Sequence, residues 1–360
     1  MFSRNIYAFY VARLICGVAD AMMYAALPIY IGEISTPKVR GTWGTGQTFS
    51  FNAGFLIINI IGNYFTIKET AYICLTLPVL FILIFIWMPE TPYYYAMKGQ
   101  DEKAKASLKW LLRKDNVESD FLQLKSDVQR QISETGTWRD LFTIKSNRKA
   151  LLCCIFMRIA QAMAGISTFE TYVQFIFDKS GSMSVSPQMS SIYFSGFLWL
   201  VMTIITFTLN SFGRRTSMMV SCLGCSMLLL CEAIYFYINE FKPDVNLRSI
   251  QWFPLAVLIV YVIFYSVGLG LLPSLMSGEL FSVSIKGKGL SITNISMGIF
   301  IAVGTFTFKS LNSTIGLYAP FVVFAVCTFI SFILAFFLMP ETKGKTLEEI
   351  QQDLKGNVKK

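Results

Sequence analysis

Two carboxylates in this chain stand seven residues ahead of two cations. Glu33 precedes Arg40 in PIYIGEISTPKVRG, residues 28–41, and Glu279 precedes Lys286 in PSLMSGELFSVSIKG, residues 273–287. In both stretches an apolar run containing proline ends in Gly-Glu, and a glycine follows the basic residue. A further basic pair, Arg214 and Arg215, sits in NSFGRR. Opposite charges placed where apolar segments meet water can pair, and arginine does so with two parallel hydrogen bonds that fix geometry. One partly exposed pair contributes only about 1 kcal/mol. A set of pairs that breaks when two bodies separate nevertheless biases one conformer over another. This is the chemistry of a latch; the alternative is that the charges merely mark a membrane–water boundary. Lys286 is the weaker member, because an ammonium lacks the planar fork of a guanidinium.

Other chemistry is excluded or unsupported. The chain contains no histidine, so no imidazole mechanism is available. No metal-ligand spacing, nucleotide-binding loop or nucleophile–base pair stands out, so we expect no metal, no cofactor and no enzyme. Cys222 and Cys225 form a CxxC, but it falls in an apolar run. All eight cysteines lie in such runs, which argues for buried free thiols.

The elements that position the charges are long apolar spans. Of 360 residues, 54% are hydrophobic and only 15% charged, against about 25% charged in a typical soluble domain; the mean hydropathy is +0.54. Nine spans can be drawn, at 7–31, 43–65, 70–88, 150–176, 190–211, 216–239, 253–277, 288–309 and 317–339. Segments of about twenty apolar residues cross a bilayer as helices, because lipid offers backbone groups no other partner. The expected class is an all-α membrane protein, with the lipid bilayer as solvent. The net charge of +9 reads as topology rather than as a nucleic-acid surface. Lys and Arg concentrate around Lys38 and Arg40, between Lys98 and Lys149, at Arg214 and Arg215, at Lys286 and Lys288, and beyond Lys343. The opposite side receives Arg4, Lys68, Lys179, Lys242, Arg248 and Lys309. The positive-inside rule then places the carboxyl terminus in the cytoplasm. Arg13 and Asp20 interrupt the first run, which does not read as a cleavable signal.

The chain also repeats itself. After each Gly-Glu motif come two further spans and then Pro-Glu-Thr, at 89–91 and 340–342, the mark of a duplicated membrane domain. Six spans separate the two Pro-Glu-Thr motifs and three precede the first. Matching halves would require twelve helices, of which nine are present and the first three absent. The expected organisation is a partial amino-terminal bundle at 1–88, a cytoplasmic linker with short amphipathic helices at 89–148, a complete six-helix bundle at 149–342 and a cytoplasmic tail at 343–360. In the linker, Leu108, Leu111 and Leu112, then Phe121, Leu122 and Leu124, recur at helical spacing.

Within the spans, Gln161, Gly165, Thr168 and Tyr172 fall within about 60° on one helical face. An intramembrane glutamine both donates and accepts, which suits a cavity wall; the alternative is a bond between helices. Pro28, Gly268, Gly270 and Pro273 loosen their helices and read as hinge points or as simple packing positions. Arg13, Asp20 and Glu170 are intramembrane charges. Either acid is a candidate proton site, the alternative being a cavity-edge or snorkelling position.

These motifs resemble the sugar porter family of the major facilitator superfamily. Arg13, Gly17, Pro28, Tyr30, Glu33, Arg40 and Gly41 match its R-x3-G…P-x-Y-x2-E…R-G signature. PETPYYYAMKG, AQAMAGISTFETY, NSFGRR, GLGLLPSLMSGELF and PETKGKTLEEI are similar to five further family motifs, in the family's order. Within the family the chain looks most like the insect facilitated trehalose transporters. The resemblance implies the major facilitator fold, with two bundles rocking around a central sugar site. It implies transport of trehalose or a hexose across the plasma membrane, and a cytoplasmic latch at Glu33, Arg40, Arg214, Arg215, Glu279 and Lys286. It adds Thr48, Ser167 and Ser274 to the sugar-lining positions. The chain departs from the family there: Thr48, Ala162, Ser167, Ser274 and Met297 replace glutamine, glutamine, asparagine, tryptophan and asparagine, and Asn210 replaces an acid. The small Ser274 is compatible with a disaccharide. The rival expectation is a non-transporting derivative, either a sensor-like partner or a truncated fragment.

Overall fold

In a computed structural model of the chain, the described residues are 5–35, 37–133, 136–179, 186–208, 213–242, 250–282, 284–343, 349–350 and 352–353. They form fifteen α-helices and one π-helical turn, with no strand among them. The chain divides into two compact units, Met1–Glu134 and Thr135–Lys360.

The first unit begins with three long helices, α1 (Ile6–Ile34), α2 (Pro37–Tyr64) and α3 (Ile67–Phe85). Their ends are written locally. Asn5 caps α1 by accepting from the Tyr7 amide at 3.1 Å, and Pro37 opens α2, where a missing N–H costs nothing. Thr66 and Glu69 form a reciprocal capping box at the start of α3. The apolar windows of α1 and α3 bury none of their residues within the structure, as expected of helices whose outer solvent is lipid. α1 and α3 meet the apolar criterion for a membrane span. α2 covers the predicted 43–65 span as a helix, but Gln47, Asn52, Asn59 and Asn63 dilute its hydropathy. Among the described residues, eight helical segments are long and apolar enough to cross a membrane.

Three short helices follow, α4 (Pro92–Met97), α5 (Asp101–Leu112) and α6 (Glu118–Ser133). The first Pro-Glu-Thr motif starts α4: Thr91 Oγ1 accepts from the Tyr94 amide at 3.1 Å, and Pro92 occupies the first turn. Ser107 of α5 ties back to the Glu90 carbonyl at 2.8 Å. Ala104, Leu108, Val117, Phe121 and Leu124 make one small core between α5 and α6. The predicted apolar positions are thereby sorted: Leu108, Phe121 and Leu124 point inward while Leu122 is exposed. The Phe121 ring lies between two ammonium groups, Lys105 at 5.1 Å and Lys125 at 5.6 Å, which pair with Glu118 and Asp101.

The second unit holds α7 (Trp138–Thr143), α8 (Lys145–Met163), α9 (Ile166–Lys179), α10 (Pro187–Thr208), α11 (Arg214–Phe241), α12 (Phe253–Tyr265), the π-helical turn (Ser266–Gly270), α13 (Leu272–Leu280), α14 (Lys286–Thr314) and α15 (Tyr318–Leu338). Two predicted spans are broken helices. Span 150–176 splits into α8 and α9 at Gly165, whose φ of +91° suits glycine. Span 253–277 passes through the π turn. All eight cysteines are free, but only Cys153, Cys154, Cys222 and Cys225 are buried as expected; Cys74 and Cys327 are half-buried and Cys16 and Cys231 exposed, because an apolar helix also turns residues outward where lipid rather than protein covers them. The core is aromatic: Phe169 stacks on Phe321 at 5.4 Å and meets Tyr261 and Phe324 edge-on, while Phe236 stacks on the other side of this group against Phe321 at 5.4 Å.

Truncating Phe121 to alanine removes the centre of the α5–α6 core, a loss of about 3–5 kcal/mol for a buried aromatic. We expect F121A to make the segment from about residue 98 to residue 129 a preferred site of limited proteolysis, with L122A unchanged, as checked by mass spectrometry of the fragments.

Candidate functional site

The broken helices meet around Gln161. The break at Gly165 leaves the Ala164 carbonyl without a helical partner, and Tyr261 donates its hydroxyl to that oxygen at 2.8 Å. The π turn likewise frees backbone groups of its own helix. Ser221 of α11 fills that gap: its hydroxyl accepts from the Leu269 amide at 3.0 Å and donates to the Tyr265 carbonyl at 3.4 Å. A Cβ on Gly268 would stand 2.5 Å from the Ser221 Cβ and 2.6 Å from the Ser217 carbonyl; only glycine lets α11 approach this closely. Gln161 completes the set by donating to the Gly270 carbonyl at 3.1 Å. Its own Oε1 accepts from Arg158 Nη1 at 2.9 Å, and Arg158 also contacts Met297 Sδ at 3.6 Å. One buried amide thus connects α8, the π turn and a buried guanidinium.

The remaining sequence-predicted residues distribute around this point. Gly165 lies against Phe169 and Phe324. Thr168 is buried and faces the backbone of α14 near Gly304. Tyr172 stacks on Phe308 of α14 with ring centres 4.9 Å apart. Because the helix breaks at Gly165, Gln161 belongs to α8 while Thr168 and Tyr172 belong to α9, so the single face drawn from the sequence is two faces of a bent rod. Ser167 is half-buried and its carbonyl accepts from Thr171 at 2.8 Å. Ser274 is exposed, and Pro273 is buried one residue into α13. In the first unit, Thr48 is half-buried and its carbonyl accepts from Asn52 at 2.9 Å. Pro28 and Arg40 lie in helices, but their side chains are outside the described set, as is Asn210 altogether.

The charged end of the second unit is organised by a residue that the sequence shows only as part of a repeat. Glu341, from the second Pro-Glu-Thr motif, reaches the start of α11 and accepts from the amides of Arg214 at 2.9 Å and Arg215 at 3.1 Å. A carboxylate there satisfies orphan N–H groups and faces the positive end of the helix dipole. Arg214 Nη2 reaches Glu279 Oε1 at 3.5 Å, and the other Glu279 oxygen accepts from Thr342 at 2.5 Å. Arg215 lies over the Phe336 ring at 4.7 Å and donates to the Phe336 carbonyl. Arg214, Arg215 and Glu279 are thereby brought together. Lys286, at the start of α14, is half-buried and makes no ion pair among the described residues. Glu33 is half-buried in the last turn of α1.

Burial works against ionisation of Glu341, but the backbone donors of Lys343, Arg214, Arg215 and Thr342 outweigh it and hold the carboxyl below the ordinary carboxylate range. No group of three or more His, Cys, Asp or Glu side chains suits a metal among the described residues. Sequence reasoning missed Ser221, Tyr261, Arg158 and Glu341. Arg158 carried a signal, an intramembrane charge one turn before Gln161; Ser221 carried none, being one serine of many.

Residues 1–354 match the family model "Sugar (and other) transporter". The chain is 32% identical over 353 residues to the facilitated trehalose transporter Tret1 of Bombyx mori, covering 97% of this chain and 69% of that protein. It is 30% identical over 359 residues to Tret1 of Apis mellifera ligustica, covering 99% of this chain and 70% of the relative. The chain therefore spans about 70% of the length of these relatives. Among solved structures it resembles the xylose transporter XylE from E. coli. A partially occluded inward-open form gives a TM-score of 0.74 at 16% identity, with 94% of this chain and 72% of that chain covered. An inward-open form gives 0.70 at 18% identity, with 90% and 68% covered. The fold is that of the major facilitator transporters.

We expect Glu341→Gln to weaken the α11 cap by about 1–2 kcal/mol. Because the folded carboxyl is depressed, its contribution is present above the ordinary carboxylate range and is lost as pH falls through the depressed value. Thermal unfolding of wild type and E341Q in detergent should therefore differ at neutral pH and converge on acidification.

Proposed function

Because the chain belongs to the sugar (and other) transporter family, we propose that it carries a sugar, trehalose or a hexose, across the plasma membrane by facilitated, alternating-access transport. The observation that carries this reading is the position of Gln161. It stands where two broken helices meet, beside the backbone of the π turn and a buried guanidinium. Sugar hydroxyls need groups that both donate and accept, and an amide supplies both. Backbone irregularity of this kind persists in lipid only where protein or a cavity satisfies it. Likeness to the Tret1 proteins supports trehalose, and the small Ser274 is compatible with a disaccharide.

The latch supplies the conformational half of the cycle. The Arg214–Glu279–Thr342 contacts and the Glu341 cap hold α11, α13 and the end of α15 together. In this reading they lie on the cytoplasmic side, which also receives the carboxyl terminus. Each contact is weak alone, so their joint loss shifts the balance between conformers by an amount that sugar binding can reverse. Glu33 and Arg40 would play the matching part on the first unit, with Thr48 facing the sugar, and Pro28, Gly268, Gly270 and Pro273 would absorb the bend.

Labelled trehalose and glucose uptake into proteoliposomes tests this reading. We expect saturable uptake by wild type, a fall of about tenfold or more in Gln161→Ala, as for loss of a hydrogen bond to a bound ligand, and altered maximal rate in Glu279→Gln. Sugar binding without uptake would identify a non-transporting derivative, and absence of both would refute the sugar assignment.

A further inference from the structure

Three charged side chains are buried among the described residues of the second unit: Arg158, Arg214 and Glu232. Arg214 belongs to the charged end already described. Glu232 of α11 is sealed, and neither carboxyl oxygen has a hydrogen-bond partner among the described residues. Arg158 is different, because its guanidinium reaches the one side chain on which the sugar reading depends. A buried cation in a membrane-spanning helix is costly, so what it touches matters.

Arg158 and Gln161 stand three residues apart on α8, a spacing that puts them on one face. Arg158 Nη1 donates to Gln161 Oε1 at 2.9 Å. At the other end of the amide, Gln161 Nε2 donates to the Gly270 carbonyl of the π turn at 3.1 Å. The two contacts fix opposite ends of one group. Turning an amide over exchanges its oxygen and its NH2 with almost no change of shape. Here the exchange would set NH2 against the guanidinium, donor to donor, and the oxygen against the Gly270 carbonyl, acceptor to acceptor. Both bonds would be lost together, and buried polar groups left unmet are expensive. The amide therefore has one orientation. The guanidinium contributes more to it than the carbonyl does, since a charged donor makes the stronger bond. The same Nη1 touches Met297 Sδ of α14 at 3.6 Å, a weak acceptor that does not draw it away from Gln161.

We propose that Arg158 is a positioning residue for sugar recognition: it locks the Gln161 amide in the orientation that meets a sugar hydroxyl. This rests on the sugar-transport reading and deepens it. A hydroxyl both donates and accepts, so it can bond to either end of an amide. Selectivity among sugars then depends on whether the amide can turn to follow the ligand. When it is locked, a sugar lacking the facing hydroxyl loses a bond and leaves a buried polar group unpaired. When it is free, it rotates to another partner and the loss is softened. Pre-organisation by Arg158 thus sharpens discrimination as well as affinity.

Binding of trehalose, glucose and their singly deoxygenated analogues to the purified full chain reads this lock. In wild type we expect loss of at least one hydroxyl to weaken binding about tenfold, and Gln161→Ala to erase that penalty. Arg158→Met should reduce the penalty to about twofold or less, while weakening the parent sugar less than Gln161→Ala does. In the Q161A background, R158M should cost nothing further, because the two residues act as one unit. Arg158→Lys covers the case in which the methionine variant fails to fold. Its ammonium is a compact point charge on a flexible stem, so the penalty should shrink there too. A full penalty in R158M or in R158K, or losses that multiply in the double variant, would overturn the proposal while leaving sugar binding intact. A penalty absent from wild type, or untouched by Q161A, would remove Gln161 from the sugar contact and the proposal with it. Failure of wild type to bind either sugar would instead sink the sugar-transport reading itself.

Discussion

A backbone amide or carbonyl inside a bilayer must find a partner within the protein, and this single demand shapes the second unit. A straight helix meets it automatically. The two helices that break, at Gly165 and at the π turn Ser266–Gly270, meet it only because side chains from neighbours step in. Tyr261 takes the Ala164 carbonyl, Ser221 takes both the Leu269 amide and the Tyr265 carbonyl, and Gln161 takes the Gly270 carbonyl. An unmet group would cost several kcal/mol, more than any one packing contact nearby. The breaks therefore fix which helices must touch, and they gather polar chemistry at one depth.

The charged end follows a related logic at the water boundary. The start of α11 offers bare amides after Gly213, a residue with no side chain to cap them. Glu341 supplies the acceptor, and Thr342 beside it holds Glu279, which in turn faces Arg214. The two Pro-Glu-Thr motifs, identical in letters, do different work. In the first unit the threonine caps its own helix, α4; in the second the glutamate caps a helix far away in sequence. Repetition in the chain preserved the residues while the contacts diverged.

Much of this was legible beforehand. Hydropathy located eight of the nine drawn spans as segments long and apolar enough to cross a membrane among the described residues, because apolar length is a local property; the ninth, α2, is a helix but a more polar one. Charge placement at span ends marked Glu279, Lys286 and the arginines, but not their partners: Glu279 faces Arg214, Arg215 lies on Phe336, and Lys286 makes no ion pair among the described residues. The breaks were harder. Gly165 and the Gly268–Gly270 pair marked weak points, yet a periodicity argument carried one straight face through residue 165 and so merged Gln161 with Thr168 and Tyr172. The satisfying partners were illegible, since Ser221 and Tyr261 matter only through which backbone group lies opposite them. Glu232 escaped notice inside its apolar run for the same reason: nothing local distinguishes a sealed acid from a lipid-facing one.

The long reach of Glu341 has a consequence for biogenesis. During synthesis α11 leaves the ribosome more than a hundred residues before the carboxylate that covers its first amides. Until then those amides must rest at the aqueous interface, hydrated, and the three later spans insert while that end is still open. Assembly of the second unit is thus completed only once Glu341, just past its last helix, has emerged to act as the clasp that tells the bundle it is whole.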